Sequence, residues 1–211
     1  VGIWKPDDRK HILFAAMCLC SAIVAPFHAL LLTSTSIPEF AFNSHWSYSV
    51  NFVFTICMLW FVAAYTGKRP IWLLAGFSAI FALMMAASIP RPYGLQFNSI
   101  TSLRVMELPW GETFIIPEGE VSTLFKFGVV FYLTALGYML YAMSSLVRRS
   151  PTRNNIGMMI ALSLFAASYV EAILVRTGSI NCLPLGLFGG LGLVIVMSMV
   201  LNQEHSDERK A

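Results

Sequence analysis

Apolar residues fill most of this chain in long blocks, and polar residues collect in the short gaps between them. The blocks at residues 11–33, 46–65, 71–89, 123–147, 156–175 and 182–201 are each long enough for a helix to cross a hydrocarbon core about 30 Å thick. Residues 34–45 read as a short polar link, and 66–70 (Thr-Gly-Lys-Arg-Pro) as a tight turn. Residues 148–155 form a basic, helix-breaking turn, and 177–181 a shorter one. The gap at 90–122 differs from the others. It is too polar to span a bilayer, yet 100–106 and 113–116 mix β-branched and polar residues on either side of Pro109-Trp110-Gly111. This pattern predicts a small hairpin-like cap on one face of an all-α membrane bundle with six visible spans.

Composition supports the membrane reading. Of 211 residues, 57% are hydrophobic and 12% charged, with mean hydropathy +0.69, whereas a soluble domain carries about 25% charge. The chain starts at Val1 without a signal-peptide pattern, and residues 1–10 read as a charged lead-in. A further helix upstream is expected, making seven spans. Charge placement orients the bundle. Under alternating topology ten basic residues fall on one side: Lys5, Arg9, Lys10, Lys68, Arg69, Arg148, Arg149, Arg153, Arg209 and Lys210. Four, namely Arg91, Arg104, Lys126 and Arg176, fall on or near the other. The positive-inside rule then puts the C-terminus in the cytoplasm and the 90–122 cap outside, with Glu107, Glu112, Glu118 and Glu120.

Ionisable residues inside a membrane are costly and usually face the bundle interior. His28 lies roughly 25 Å up the first span and Glu171 roughly 22 Å up the fifth, by helical rise. Lys126 sits one turn into the fourth from the outer side, so all three are expected in the outer half beneath the cap. Asn51 and Thr55 add polar groups to the outer half of the second span. Ser163, Ala167 and Glu171 recur every four residues, a small-residue stripe suited to helix contact. Two readings follow: an outward-facing polar pocket for a small ligand or proton, or a buried pair of Glu171 with His28 or Lys126 that locks helices. Trp110, placed in the cap turn, is expected to aim its ring at the helix ends or the interface.

Other chemistries find little support. Cys18, Cys20, Cys57 and Cys182 form no C-x-x-C pair and read as small core residues. One well-placed His is poor evidence for haem, and no zinc motif, P-loop or G-x-G-x-x-G occurs. No basic cluster interleaved with aromatics points to nucleic acid. No cofactor, metal or catalytic residue is expected. Gly186, Gly189, Gly190 and Gly192 suggest close helix packing, within the chain or across a dimer.

Several stretches carry a resemblance: Trp60-Phe61-Val62-Ala63-Ala64-Tyr65, Leu108-Pro109-Trp110-Gly111-Glu112, Arg148-Arg149 and Val196-Met197-Ser198-Met199-Val200-Leu201. From about Trp4 to Glu204 the chain resembles the N-terminal seven-helix sensor module that precedes PAS and histidine-kinase, or diguanylate cyclase, domains in bacterial signalling proteins. Such modules often carry an Asp near the outer end of the span before last. This chain reads Leu174-Val175-Arg176-Thr177-Gly178 there, a basic residue in place of the acidic one, and Arg176 is counted among the candidate ligand contacts. The resemblance implies a non-enzymatic input module in the bacterial inner membrane, one domain over 1–211, acting as a homodimer through the full-length protein. Residues 202–211 would begin a connector to an output domain, with membrane lipid and a small ligand as partners. A small proton-coupled transporter and a structural subunit of a membrane complex are the alternatives from other classes.

Overall fold

A computed structural model describes residues 6–107, 111, 113–176, 180, 182 and 185–208. Helices α1 (Pro6–Leu32), α2 (Ile37–Thr66) and α3 (Ile71–Ser88) lead to strands β1 (Phe97–Glu107) and β2 (Thr113–Val121). Helices α4 (Thr123–Arg149), α5 (Arg153–Arg176) and α6 (Gly186–Glu208) follow. Among the described residues five helices, α1 to α5, are long and apolar enough to cross a membrane. The apolar part of α6, Phe188–Gln203, is shorter.

The main correction concerns the polar link expected at 34–45. Helix α2 has 30 residues and starts at Ile37, so most of that link is helix. The reason lies in its capping. Phe40 N–H donates to the Ser36 carbonyl at 3.0 Å, and Glu39 Oε2 accepts from Thr35 N–H at 2.9 Å and Thr35 Oγ1 at 3.1 Å. Ser36-Ile37-Pro38-Glu39 is thus an S-x-x-E start signal with proline in the first turn, where a missing N–H costs nothing. The polar residues that suggested a link are packed away: Asn43, Ser44 and Ser47 are all buried. Smaller corrections apply elsewhere. Both strands extend beyond the expected 100–106 and 113–116, and α6 starts at Gly186 instead of 182. Helix α6 continues past the expected block end at 201 and runs to Glu208.

The hairpin pairs β1 with β2 antiparallel, from Phe97 opposite Val121 to Glu107 opposite Thr113. Its register shifts between Phe97 and Ser99 and again between Ile100 and Ser102. Gly119 lies opposite Ile100. A Cβ there would strike the Ser99 carbonyl oxygen and stand 2.9 Å from Ile100 Cα, so this irregular stretch of the ladder needs glycine. Gly111, at φ 88°, takes the left-handed conformation of a turn. The rest of the turn expected at 109–111, Trp110 included, lies outside the described residues.

The chain divides into two compact units. One comprises Val1–Leu19, Cys57–Pro70 and Ala135–Ala211. Within it Tyr65 donates to Asn155 Oδ1 at 3.0 Å, and Asn155 Nδ2 donates to the Ser150 carbonyl at 2.8 Å. Thr152 caps α5 through its carbonyl and hydroxyl. Tyr138 donates to the Lys68 carbonyl at 3.0 Å, and the Lys68 ammonium lies 4.2 Å from the Tyr141 ring centroid. Helices α5 and α6 pack closely where Gly189 meets Ser168. An added Cβ would stand 2.8 Å from Ser168 Cβ and 3.4 Å from Phe165 Cα, the close approach expected from the glycine-rich sixth block.

The other unit comprises Cys20–Ile56 and Ile71–Thr134. Phe81 is its aromatic centre, 5.9 Å from Phe52 and 6.1 Å from Tyr132 between centroids. Gly128 of α4 admits the Met84 side chain of α3. The hairpin is anchored by a buried cluster of Leu31, Phe40, Phe97 and Ile100, against which Ile37, Tyr93, Leu103 and Ile115 pack. The hairpin is therefore seated on apolar side chains of α1 and α2.

Candidate functional site

The polar residues of α2 define the first part of the site. Asn43, Ser47, Asn51 and Thr55 recur every four residues and so share one face. Asn43, Ser47 and Thr55 are buried and Asn51 is half-buried. Buried polar groups need partners, and several are supplied locally. Asn43 Nδ2 donates to Ser34 Oγ at 3.5 Å, Ser34 Oγ donates to the Leu30 carbonyl at 2.8 Å, and Thr55 Oγ1 donates to the Asn51 carbonyl at 2.8 Å. Beside this face Tyr48 donates to Oε1 of the buried Gln96 at 2.7 Å, tying α2 to the foot of β1.

A cavity of about 420 Å³ opens at the start of α2. One wall consists of Ile37, Pro38, Ala41, Phe42 and His45. The other is the turn that leaves α3, with Ile89, Arg91, Pro92 and Tyr93. That turn is fixed by Arg91 N–H donating to the Ser88 carbonyl and Gly94 N–H donating to the Arg91 carbonyl, both at 3.1 Å. Gly94, at φ 64°, reverses the chain into β1. Arg91 Nη1 donates to Ser122 Oγ at 3.3 Å, and Ser122 also caps α4 by accepting Leu124 N–H. Ile37 and Tyr93, from opposite walls, both pack against the cluster of Leu31, Phe40, Phe97 and Ile100. Phe42 of the cavity wall also joins Trp46 and Phe27 in an aromatic group, with centroids 6.4–6.5 Å apart.

The second notable group closes on itself. Glu171, near the end of α5, accepts Leu185 N–H on Oε2 at 2.8 Å and the Cys182 thiol on Oε1 at 2.9 Å. Leu185 is the cap of α6, since Gly189 N–H donates to its carbonyl at 3.0 Å. A carboxylate beside the first N–H groups of a helix is favourably placed. Its hydrogen bond holds the Cys182 thiol above its usual pKa range, with burial and the negative charge acting in the same direction.

The six candidates from the sequence occupy different settings. His28 on α1 and Asn51 on α2 are half-buried and Lys126 on α4 is exposed, all in the unit that holds the cavity. Glu171 belongs to the other unit, with both oxygens engaged in its own helix pair. Arg176 is the last residue of α5, and Trp110 lies outside the described residues. Among the described side chains, His28, Asn51, Lys126 and Glu171 do not line the cavity. Its polar lining of His45, Arg91 and Tyr93 carries no signal in the sequence, where His45 falls in a polar link and Arg91 and Tyr93 in the cap. The Ser36–Glu39 start signal could have exposed the first wall; the second requires the fold.

Membrane-length helices, one short sheet and polar side chains gathered at helix ends define the chain as the membrane-embedded part of a multi-pass protein. The family model for the N-terminal 7TM region of histidine kinase matches residues 1–202, and the chain belongs to that family. Comparison with curated proteins and with solved structures finds no significant match. The family makes this a histidine-kinase sensor region, an input module and not a catalytic one.

Proposed function

We propose that the chain senses a small molecule, or the state of the membrane, at its outer half and passes a helix shift to a cytoplasmic output domain through α6. In this reading all six helices cross the bacterial inner membrane and a further helix precedes them. The hairpin is extracytoplasmic, and residues 1–211 act as one module in a homodimer. The ten-to-four division of Lys and Arg supports the orientation. His28, Asn51, Lys126, Trp110 and Arg176 remain candidates for contact with the stimulus on the outer side, while Glu171 acts by fastening α6 to α5.

The observation that carries this reading is the continuity of α6. It runs unbroken to Glu208, five residues beyond the end of its apolar stretch at Gln203, with no Gly or Pro to end it. A rigid helix emerging in this way transmits rotation or displacement, and coupling of about 1–3 kcal/mol is enough for allosteric control. Inserting one or two residues at Asn202 rotates whatever follows by roughly 100° per residue. Autophosphorylation of the full-length protein should change sharply with one insertion and differently with two. Unaltered regulation with both insertions would exclude rigid transmission. Orientation is tested separately with single cysteines at Glu118 and Arg149 in a cysteine-free background: an impermeant thiol reagent should label only the first in intact cells.

A further inference from the structure

We propose that the cavity between the start of α2 and the turn after α3 binds a small organic anion, a carboxylate carried on an apolar body. Size and lining both lead there. At about 30 Å³ for each water-sized group, the cavity holds roughly ten to fourteen non-hydrogen atoms, and its volume of about 420 Å³ lies in the range of small-molecule sites. Ile37, Phe42 and Ile89 supply apolar surface, and among the described residues the polar lining is Arg91, His45 and Tyr93.

That polar set is biased towards donors. Arg91 has five N–H donors and spends one on Ser122 Oγ. Tyr93 offers a hydroxyl and His45 an imidazole. Among the described residues no acidic side chain lines the cavity. The nearest carboxylate along α2, Glu39, uses Oε2 to accept from Thr35. A guanidinium beside apolar walls selects a planar anion over a cation or a neutral molecule. Because Ile37 and Tyr93 also pack against the buried cluster of Leu31, Phe40, Phe97 and Ile100 that seats the hairpin, an occupant drawing the two walls together acts on that seating. This last step rests on the input-module reading, whereas binding itself does not.

The test uses the full-length protein in lipid nanodiscs and 4-phenylbutyrate as probe, with 4-phenylbutylamine and inorganic phosphate as comparisons, followed by calorimetry. The carboxylate should bind with one site per chain and the amine should not. Phosphate should compete only weakly if the apolar body contributes, whereas equal competition by phosphate would reduce the site to an inorganic-anion site and overturn the proposed class. Arg91→Gln should weaken binding about tenfold or more, the worth of a charge-assisted hydrogen bond, and Arg91→Lys should restore part of it. Thermal melting of each variant separates lost binding from lost fold. A folded Arg91→Gln protein that binds 4-phenylbutyrate as tightly as the parent, or a parent that prefers the amine, refutes the proposal. Tight binding that leaves autophosphorylation unchanged would instead count against the input reading and leave the site standing.

Discussion

Two connections in this protein solve the same problem in opposite ways. Between α5 and α6 the described polar groups are paired with one another. Glu171 takes a thiol and a backbone N–H from its own hairpin, and Gly189 lets the helices approach until Ser168 fills the gap. Between α3 and α4 the chain spends more than thirty residues on a hairpin and a turn, and the donors of that turn line a cavity. The first connection is a fastening and the second is a receptacle. Polar residues near a membrane helix end therefore carry no fixed meaning, because meaning depends on whether their partners are already supplied.

The strongest test of this contrast is Gly119→Val. Its side chain has to displace the β1 backbone at Ser99 and Ile100, and forced overpacking costs typically about 1–3 kcal/mol, occasionally more. A two-stranded hairpin is marginal by itself, so limited proteolysis should cut between 97 and 121 in the variant while α5 and α6 stay protected. Equal protection of the hairpin would mean that its irregular register does not depend on glycine.

Glu171→Ala comes next. It strips an acceptor from Leu185 N–H at the start of α6, and losses of this kind cost about 1–3 kcal/mol. Glu171→Gln keeps an acceptor and should cost less. Melting in detergent should rank parent, Gln and Ala in that order, and a stable Ala variant would end the idea of a fastening. Tyr48→Phe should have a smaller effect, about 1 kcal/mol, through loss of the 2.7 Å bond to Gln96. It should loosen the foot of β1, read as faster amide exchange there, without altering exchange in α6.

The smallest effect is chemical. The Glu171 carboxylate raises the Cys182 pKa, so the thiolate is scarce at pH 8 and alkylation slow. With a folded pKa above the unfolded one, this bond contributes stability below the unfolded thiol pKa and loses it as pH rises through the folded value. In Glu171→Gln the charge is gone, and alkylation of Cys182 at pH 8 should speed up several-fold. No change would detach the thiol from the carboxylate.

Much of the helical frame was legible because its punctuation is strong. Gly67, Pro70, Ser122, Pro151 and Thr152 sit at helix boundaries, and apolar runs fill the spaces between. The start of α2 was obscured because buried polar residues look like a link when composition is read without period. Asn43, Ser47, Asn51 and Thr55 keep a four-residue spacing that belongs to a helix. Glu171 was legible as an unusual residue, but its partners were not: a backbone N–H carries no signature in sequence, and Cys182 read as a core residue. The cavity was hidden for a different reason. Its two walls, near residues 41 and 91, are about fifty residues apart in the chain, and they meet through the packing of Ile37 and Tyr93 on one buried cluster and the Tyr48–Gln96 bond.

The fastening of α6 bears on how the protein is made. Residues 188–203 form a short apolar segment by the measure of a bilayer core, and a translocon meeting them alone would partition them weakly. Helix α5, with its longer apolar run, reaches the membrane first and brings the cost of an intramembrane carboxylate. When α6 follows across a short turn, Leu185 N–H and the Cys182 thiol satisfy that carboxylate and the glycine face closes on Ser168. If α6 crosses the bilayer as proposed, it should lodge there only in the company of α5, the two entering as a hairpin.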